Sequence, residues 1–237
     1  MKRRHEIAAQ RDYYAQTAQK YNEMHGEGEA AIDFSMHVLF GLLSHLNVKS
    51  VLDIGSGTGR TLIFARENYP HLKVMGVEPV PELRQVAYSQ GVSTEALIDG
   101  DALALPFKDG SFDLVCEFAV LHHIKNPDLA ISEMLRVASK AIFISDSNNF
   151  GQGGAISRAL KQVLNTFRLW PIADLVKTRG RGYIITEGDG LSYSYSVFSN
   201  YDQIRASCDI VHLLNTSASG KNLYRTASSV ALLGIKK

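Results

Sequence analysis

Apolar and polar positions alternate along this chain in a pattern that predicts a parallel α/β sheet. Between residues 50 and 146, short apolar runs of strand length are separated by segments with helical spacing. The predicted strands are 50–54, 73–77, 96–99, 112–116 and 141–145, and the helices between them are 58–68, 81–89 and 129–137. Such alternation favours a doubly wound, Rossmann-like sheet with helices on both faces. Ligands of these sheets bind beyond the carboxyl ends of the strands.

The flanking segments are less regular. Residues 6–24 are predicted to form one or two tyrosine-rich helical turns, and 30–46 a helix with apolar residues at a 3.6-residue period. After the fifth strand the rhythm breaks, and a helix at 201–207 and strands at 210–214 and 228–235 follow. The predicted organisation is one domain, made of a helical cap (1–47), a core (48–146), an insertion (147–199, with a helix at 155–168) and a closing helix and strands (200–237).

Composition narrows the class of protein. The chain has 237 residues, of which 45% are hydrophobic and 21% charged, and its net charge is +1. A balanced charge gives no argument for nucleic acid or a membrane surface as a partner. No apolar run follows the basic start at Met1–Glu6, no stretch is long enough to span a bilayer, and two cysteines cannot form a disulfide framework. These features predict a cytoplasmic protein.

A glycine-rich loop follows the first predicted strand. Asp53 ends the apolar run, and Gly55, Gly57 and Gly59 follow at alternate positions. The dinucleotide fingerprint has the spacing G-x-G-x-x-G and holds a pyrophosphate. A carboxylate at Asp53 would repel a pyrophosphate, whereas it would tolerate a ligand that carries an ammonium and a sulfonium. The loop therefore disfavours a nicotinamide-dependent oxidoreductase.

Two further acidic signals follow at the ends of later strands. Glu78-Pro79 comes after the second strand, at the separation from the glycine loop expected of a ribose-binding carboxylate. Asp101-Ala102 comes after the third strand, and a carboxylate beside a backbone N–H offers the acceptor and donor that adenine requires. The alternatives are a solvated glutamate at a strand end and an aspartate that stabilises a turn.

At these residues the chain resembles the class I S-adenosylmethionine (SAM)-dependent methyltransferases, of the small-molecule type with a methyltransferase-11-like domain. The resemblance rests on Asp53-x-Gly55-x-Gly57-x-Gly59, on Glu78 and on Gly100-Asp101-Ala102. It implies a seven-stranded sheet with an antiparallel last strand and SAM as cofactor. It also implies that Glu78 binds the ribose and Asp101 the adenine amino group. Asp53 would contact the methionine ammonium, through water, or hold the loop. An opening of the type Y-x-x-x-A-x-x-Y suggests that Tyr14 and Tyr21 contact the cofactor or substrate, or only pack on the sheet.

The transfer site is expected beyond the fourth and fifth strands. Glu117 and Phe118 end the fourth strand, and in the family this region borders the methionine part of SAM; Glu117 is expected to face the ammonium or solvent. Two adjacent histidines follow, His122 and His123, and either could be a general base, since histidine titrates near neutral pH. The resemblance favours His122, whose position matches the family's active-site histidine where one is present. The alternative is that these histidines pack on the cofactor and cap a helix. Short polar side chains follow the fifth strand, with Asp146 as a second candidate base and Asn148 and Asn149 as substrate ligands or turn formers.

The insertion is basic. Between residues 155 and 182 there are six cations and one acid, Asp174, a net charge of +5. The cations are Arg158, Lys161, Arg168, Lys177, Arg179 and Arg181. If the segment covers the site, Arg179 and Arg181 would bind an anionic substrate such as a sugar nucleotide. The alternative is a solvated helix face and a loop.

These patterns predict an enzyme that methylates oxygen or nitrogen of a small polar metabolite. One alternative is a protein or RNA methyltransferase, which the absence of an N-P-P-Y-type tetrad after the fourth strand disfavours. Another is a SAM-binding protein without transfer activity, because fold and cofactor do not determine function. No metal is expected, since Asp146, Glu187 and Asp189 lack ligand spacing.

Overall fold

A seven-stranded sheet organises the chain in the computed structural model, which describes residues 2–18, 26–186 and 189–236. Its strand order is β3-β2-β1-β4-β5-β9-β8, and β9 runs antiparallel to both of its neighbours. A two-stranded antiparallel hairpin, β6–β7, stands apart from this sheet. The strands are β1 (Ser50–Ile54), β2 (Lys73–Val77), β3 (Leu97–Ile98), β4 (Phe112–Phe118), β5 (Ala138–Ser147), β6 (Ile184–Thr186), β7 (Gly190–Ser192), β8 (Cys208–Asn215) and β9 (Ser229–Lys236).

Helices cover both faces of the sheet because the central strands are apolar on both sides. On one face, Met134 of α5 and Ile204 of α8 pack with Leu52 of β1. On the other, Phe40 of α2 packs with Val51 of β1. The helices are α1 (Lys2–Thr17), α2 (Gly26–Leu42), α3 (Arg60–Asn68), α4 (Pro81–Ser89), α5 (Pro127–Val137), α6 (Ala155–Thr166), α7 (Trp170–Lys177) and α8 (Tyr201–Ser207).

The predicted fold class is confirmed, and the differences lie in the extent of single elements. β4 and β5 continue beyond the predicted ends, to Phe118 and Ser147, so that both carry side chains to the mouth of the site. Where one or two helical turns were expected at 6–24, α1 is a longer helix of 16 residues that ends at Thr17, and residues 19–24 lie outside the described part of the chain. In the insertion, α7 and the β6–β7 hairpin were not predicted.

The hairpin docks on α1, and the two together cover the end of the sheet where the strands finish. The Leu191 N–H donates to Oε1 of Gln10 at 2.5 Å. Gly190 has a φ of +70°, and a Cβ there would lie 2.6 Å from the ring of Tyr13. Only glycine permits this close approach. Within the part of the chain that the structure describes, no helix combines the length and apolar character needed to cross a bilayer.

Candidate functional site

The glycine loop turns sharply between β1 and α3. Gly55, Gly57 and Gly59 have φ angles of +66°, +53° and +82°, which side-chain-bearing residues rarely adopt. At Gly55 a Cβ would also lie 2.6 Å from Cγ2 of Val120, in the loop after β4. Gly55 and Gly57 line a cleft, whereas Gly59 packs against α4. The loop therefore exposes backbone to the cleft where the first strand ends.

Glu78 joins this loop to the end of β2. Its Oε2 accepts from the Gly57 N–H at 3.0 Å, and its Oε1 accepts from the Val80 N–H at 2.9 Å. Each oxygen keeps a second lone pair, and the side chain lines the cleft. Burial raises the pKa of Glu78 to about 7, although both backbone hydrogen bonds oppose this. A ligand with two adjacent hydroxyls would restore the solvation that the carboxylate lacks.

Asp53 lies below the loop, in a smaller hollow beside Arg60, Thr61 and Phe118. It is 3% exposed. Burial raises its pKa to about 7, against hydrogen bonds that favour the charged form, including one from the Cys116 thiol at 3.8 Å. The side chain is therefore placed both to hold the loop and to face a cation at its edge, so both expected roles stay open.

The cofactor cleft, as we call this space, runs from the N-terminal cap to the loop after β3. Asp101 and Ala102 line its far end, and Oδ1 of Asp101 also accepts from the Leu103 N–H at 3.0 Å. Asp99, by contrast, is paired with Arg84 at 2.8 Å on the outside. The predicted cofactor residues that line the cleft are Tyr14, Gly55, Gly57, Glu78, Pro79, Asp101, Ala102 and Phe118.

Tyr14 closes the near side of the cleft. Its hydroxyl lies 2.9 Å from Nε2 of His123, which also lines the cleft. Tyr21, the other tyrosine of the predicted opening motif, lies outside the described residues. Arg11, one turn before Tyr14, lines the cleft too and was not singled out from the sequence.

Glu117 does not face solvent, which was one of the two positions expected for it; the other, facing the ammonium, stays a prediction. The residue is fully buried, and its Oε2 accepts from the Val120 N–H at 2.8 Å. Burial, followed by the negative charge of Asp146, raises the pKa of Glu117 well above its usual range. Its other oxygen, Oε1, is buried with no hydrogen-bond partner among the described residues. Glu117 lies behind the loop after β4 and is not on the lining of the cleft.

A chain of two carboxylates and one imidazole lies where β4 and β5 end. Nδ1 of His122 lies 2.6 Å from Oδ1 of Asp146, and its backbone N–H donates to Oδ2 of the same aspartate at 3.2 Å. Nε2 of His122 lies 3.3 Å from Asp189, in the hairpin turn. Burial by itself lowers the pKa of His122, but the charge and hydrogen bonds of the two aspartates outweigh it and raise that pKa well above its usual range. The two carboxylates therefore favour the protonated form of the His122 imidazole.

His123 has the opposite character. Burial, and then the positive charge of His122, lowers its pKa, so this imidazole is neutral. Its Nδ1 lies 2.7 Å from the Leu191 carbonyl oxygen. The two rings are adjacent, with centroids 3.9 Å apart, yet His122 lines a different cavity from His123.

This second cavity lies between the end of β5, the hairpin and α7. It meets the cofactor cleft at the two histidines and at Tyr193, which lines both. Two polar atoms at its wall, Nδ2 of Asn149 and Oγ of Ser194, are buried without a partner among the described residues. Buried polar groups normally have partners, and these two atoms of wall residues are exceptions among the described residues. Other polar residues of its wall are Ser147, Gln152, Asp174, Lys177, Thr178, Tyr183, Asp189 and Ser192.

Asn148, an expected substrate ligand or turn former, is bonded to the protein and does not line the second cavity. Its Nδ2 donates to the carbonyl oxygens of Leu223, Tyr224 and Ala227 at 2.8–3.0 Å, and its Oδ1 accepts from Ser196. The side chain is fully buried and joins β5 to the loop before β9. Asn149, one residue on, does reach the second cavity.

Arg179 and Arg181, expected to bind an anionic substrate, do not line either cavity. Both are exposed after the end of α7, and Arg181 lies over the ring of Tyr183. Lys177 is the cation of this segment that reaches the second cavity, and Asp174 and Asp189 lie on the same wall. The cavity is therefore polar, with charges of both signs.

One cluster bears on the expected absence of a metal site, and Glu187, named in that expectation, lies outside the described residues. His122, His123 and Asp189 bring three possible ligand atoms within 4.8 Å of one another. Asp189 is far in sequence from the two adjacent histidines, and the hairpin places it beside them. Nδ1 of each histidine is oriented by a carboxylate or a carbonyl oxygen, as in many metal sites.

Comparison with known proteins adds the family. Residues 52–143 match a family model described as "Methyltransferase domain". Norajmaline N-methyltransferase of Rauvolfia serpentina is 38% identical over 96 residues, which are 38% of this chain and 32% of that protein. Demethylmenaquinone methyltransferase of Thermus thermophilus is 33% identical over 93 residues, 38% of this chain and 42% of that one. The chain thus matches only about a third of the length of these curated relatives.

The fold has close parallels as well. A crystal structure described as a SAM-dependent methyltransferase, possible histamine N-methyltransferase, from Thermotoga maritima has a TM-score of 0.62. The alignment covers 95% of this chain and 99% of that one at 17% identity, which is a likeness of fold. The glycine loop and the carboxylate after β2 both lie within residues 52–143, the part of the chain that is similar to the methyltransferase domain.

Proposed function

We propose that this protein transfers a methyl group from SAM to oxygen or nitrogen of a small polar acceptor bound in the second cavity. The observation that carries the proposal is the meeting of two cavities at His122 and His123. One holds the cofactor motifs, and the other holds unpartnered polar atoms. A transferase for two ligands needs such a junction, because the acceptor must lie in line with the methyl group.

On the cofactor side, SAM supplies an electrophilic methyl group on a sulfonium. Glu78 would accept hydrogen bonds from the ribose hydroxyls, and Asp101 with Ala102 would face the adenine. Asp53 would attract the ammonium. The loop of Phe118 and Val120 borders the remaining part of the cleft, nearest to His123.

On the acceptor side, we assign His122 as the group that takes the acceptor's proton. Asp146 holds its Nδ1, so that Nε2 faces the second cavity, an arrangement that orients the imidazole and stabilises its protonated form. Without an acceptor, Asp189 lies against Nε2 of His122, and its charge favours the protonated imidazole. The acceptor would replace Asp189 there, which lowers the pKa of His122 and frees it to act as a base.

The acceptor is proposed to be polar, without a requirement for an anionic group. The cavity wall carries Lys177 but also Asp174 and Asp189, and the two exposed arginines lie elsewhere. The matched relatives act, by their names, on norajmaline and demethylmenaquinone, two unlike acceptors. They therefore support methyl transfer and leave the acceptor to be found by experiment.

The test is incubation with methyl-labelled SAM and a metabolite extract, with protein and RNA fractions in parallel. We expect label in a small product with the wild type and a large loss with His122→Asn, which keeps the cofactor cleft intact. Label in protein or RNA would show that the acceptor is a macromolecule. Tight SAM binding with no label in any fraction would show that the chain binds SAM without transferring it.

A further inference from the structure

The two helices of the insertion, α6 and α7, expose their apolar side chains and do not bury them. Helices of a globular protein place their apolar stripe toward the core. In α6 the apolar stripe is exposed, and no side chain of α6 or α7 is buried. Ile156 is 88% exposed and Phe167, just past the helix end, is 69% exposed. The exposed apolar residues, which we call the insertion face, are Ile156, Leu160, Val163, Phe167, Leu169, Ile172, Leu175 and Val176.

The polar side of α6 is the side bonded to the protein. Gln162 donates to the carbonyl oxygens of Phe150 and Arg225 at 3.0 and 2.9 Å, and Asn165 donates to the Tyr224 hydroxyl at 2.8 Å. Lys161 donates to the carbonyl oxygens of Asn149 and Gln152. Turning α6 so that its apolar stripe covered the site would break these bonds. These hydrogen bonds therefore hold the apolar stripe of α6 on the outer surface of the protein.

The second helix repeats this arrangement. Asp174 and Lys177 face the second cavity, and Trp170 packs edge-on against Phe150 with ring centroids 5.8 Å apart. Ile172 and Val176 lie on the opposite side, 64% and 75% exposed. Two consecutive helices therefore present apolar side chains that no other described part of the chain covers.

The charge of this segment indicates which kind of surface binds the insertion face. The segment 155–182 has a net charge of +5 in a chain of +1. Lys161 is bonded to the protein, and Lys177 and Asp174 face the second cavity. The cations that remain for the surface are Arg158, Arg168, Arg179 and Arg181. Arg168, Arg179 and Arg181 are exposed at the ends of α7. A second copy seated on this face would bring two such sets of cations together. An anionic lipid surface offers both an apolar interior for the stripe and negative headgroups for the cations.

We propose that the insertion face seats the protein on a negatively charged membrane surface, with α6 and α7 lying in the interface. This requires no spanning helix, because amphipathic helices bind the headgroup boundary in the plane of the bilayer. The proposal does not depend on the proposed methyl transfer, since it rests on surface residues outside both cavities.

Vesicle sedimentation tests the proposal. Wild-type protein is mixed with phosphatidylcholine vesicles that contain or lack phosphatidylserine, at low and high salt. We expect binding to the anionic vesicles at least about tenfold stronger than to the neutral ones, and weaker in high salt. The variant Ile156→Gln/Leu160→Gln/Phe167→Gln should lose binding to the anionic vesicles. The matched control is Leu129→Gln, at an apolar residue of α5 that is also half exposed.

SAM binding by each variant checks that the fold is intact. If the triple variant does not fold, Arg168→Gln/Arg179→Gln carries the test, because it should reduce binding to anionic vesicles without changing the apolar stripe. Wild-type protein that sediments with neither vesicle, or with both equally, overturns the proposal. A wild-type dimer in sedimentation velocity that the triple variant dissociates would also overturn it, by showing that the face joins two copies.

Discussion

Nδ1 of His122 lies 2.6 Å from Oδ1 of Asp146, and this contact links the ends of β4 and β5 at the junction of the two cavities. Asp146 is almost fully buried and receives the backbone N–H of His122 as well. Burial alone would raise the pKa of Asp146, but the positive charge of His122 lowers it, so the aspartate stays ionised. The orientation of the imidazole is thus determined by a fixed carboxylate.

Removing the imidazole should affect turnover far more than cofactor binding. We expect His122→Asn to lower kcat by roughly 10²–10⁴-fold, the usual contribution of a general base, with the Kd for SAM unchanged. Steady-state kinetics with a known acceptor and calorimetry with SAM measure the two effects. His212→Asn, at an exposed histidine of β8, is the control and should behave as wild type. Unchanged kcat in His122→Asn would remove the base from the proposed mechanism.

Asp189→Asn should shift the pH dependence of activity. The charge of Asp189 helps to raise the pKa of His122, so its removal lowers that pKa. The base form of His122 would then exist at lower pH, and the rising limb of kcat/KM against pH should move toward acid. A profile that stays in place would show that Asp189 does not govern the ionisation of the base.

SAM binding should release protons near neutral pH. The pKa values of Asp53 and Glu78 are both raised to about 7 by burial, and the ligand favours their ionised forms. Calorimetry at a pH of about 6 in buffers of different ionisation enthalpy should show proton release that fades above about pH 8, where both groups are already ionised. Glu78→Gln should weaken SAM binding by about tenfold or more, the loss of a charged hydrogen-bond acceptor. Asp99→Asn, at the exposed neighbour, should not.

The same two carboxyls affect the stability of the free protein. Their folded pKa values lie above the values of about 4 expected in the unfolded chain. The folded state therefore binds more protons between those limits, and the free energy of unfolding should fall as pH rises from about 4 to about 7. Denaturant melts at several pH values measure this, and saturating SAM should flatten the trend. A free energy of unfolding that rises over this range would contradict it.

Gly55→Ala should destabilise the loop, whereas Gly41→Ala should not. A methyl group at Gly55 meets Val120 at 2.6 Å and requires a positive φ, which costs about 1–3 kcal/mol before the clash is counted. At Gly41, in α2, nothing lies within 4 Å of the added carbon, and the change should stabilise the helix by about 0.5–1 kcal/mol. Denaturant melts and SAM titration report both. Equal changes in stability and in SAM affinity for the two variants would show that the loop accommodates a methyl group at Gly55.

The adjacent asparagines should separate folding from substrate binding. Asn148→Ala leaves three carbonyl oxygens without their donor and should lower the free energy of unfolding by about 1–3 kcal/mol. Asn149→Ala should instead raise KM for the acceptor, because its Nδ2 lies at the second cavity without a protein partner among the described residues. Thermal melts and kinetics distinguish the two. A KM effect in Asn148→Ala at unchanged stability would reverse the assignment.

The core and the cofactor residues could be predicted because their signals are local. An apolar run, a glycine spacing and a carboxylate at a strand end follow one another in the chain, and the parallel sheet brings such strand ends to one edge. Asp189 could not be placed in this way. It reaches His122 only because three-residue strands form a hairpin that docks on α1, and neither the strands nor the docking leaves a periodic pattern. Asn148 and Asn149 look alike in sequence, and their packing partners, which decide their roles, lie about 75 residues later for Asn148 and within the insertion for Asn149.

The contact of Tyr14 with His123 has a kinetic consequence. Tyr14 belongs to α1, which covers the cofactor cleft, and the same helix holds the hairpin that carries Asp189. A movement of α1 away from the cleft would therefore also release the hairpin from the acceptor's cavity. We expect exchange of the cofactor and access of the acceptor to be coupled in this way, and product-inhibition kinetics would measure that coupling.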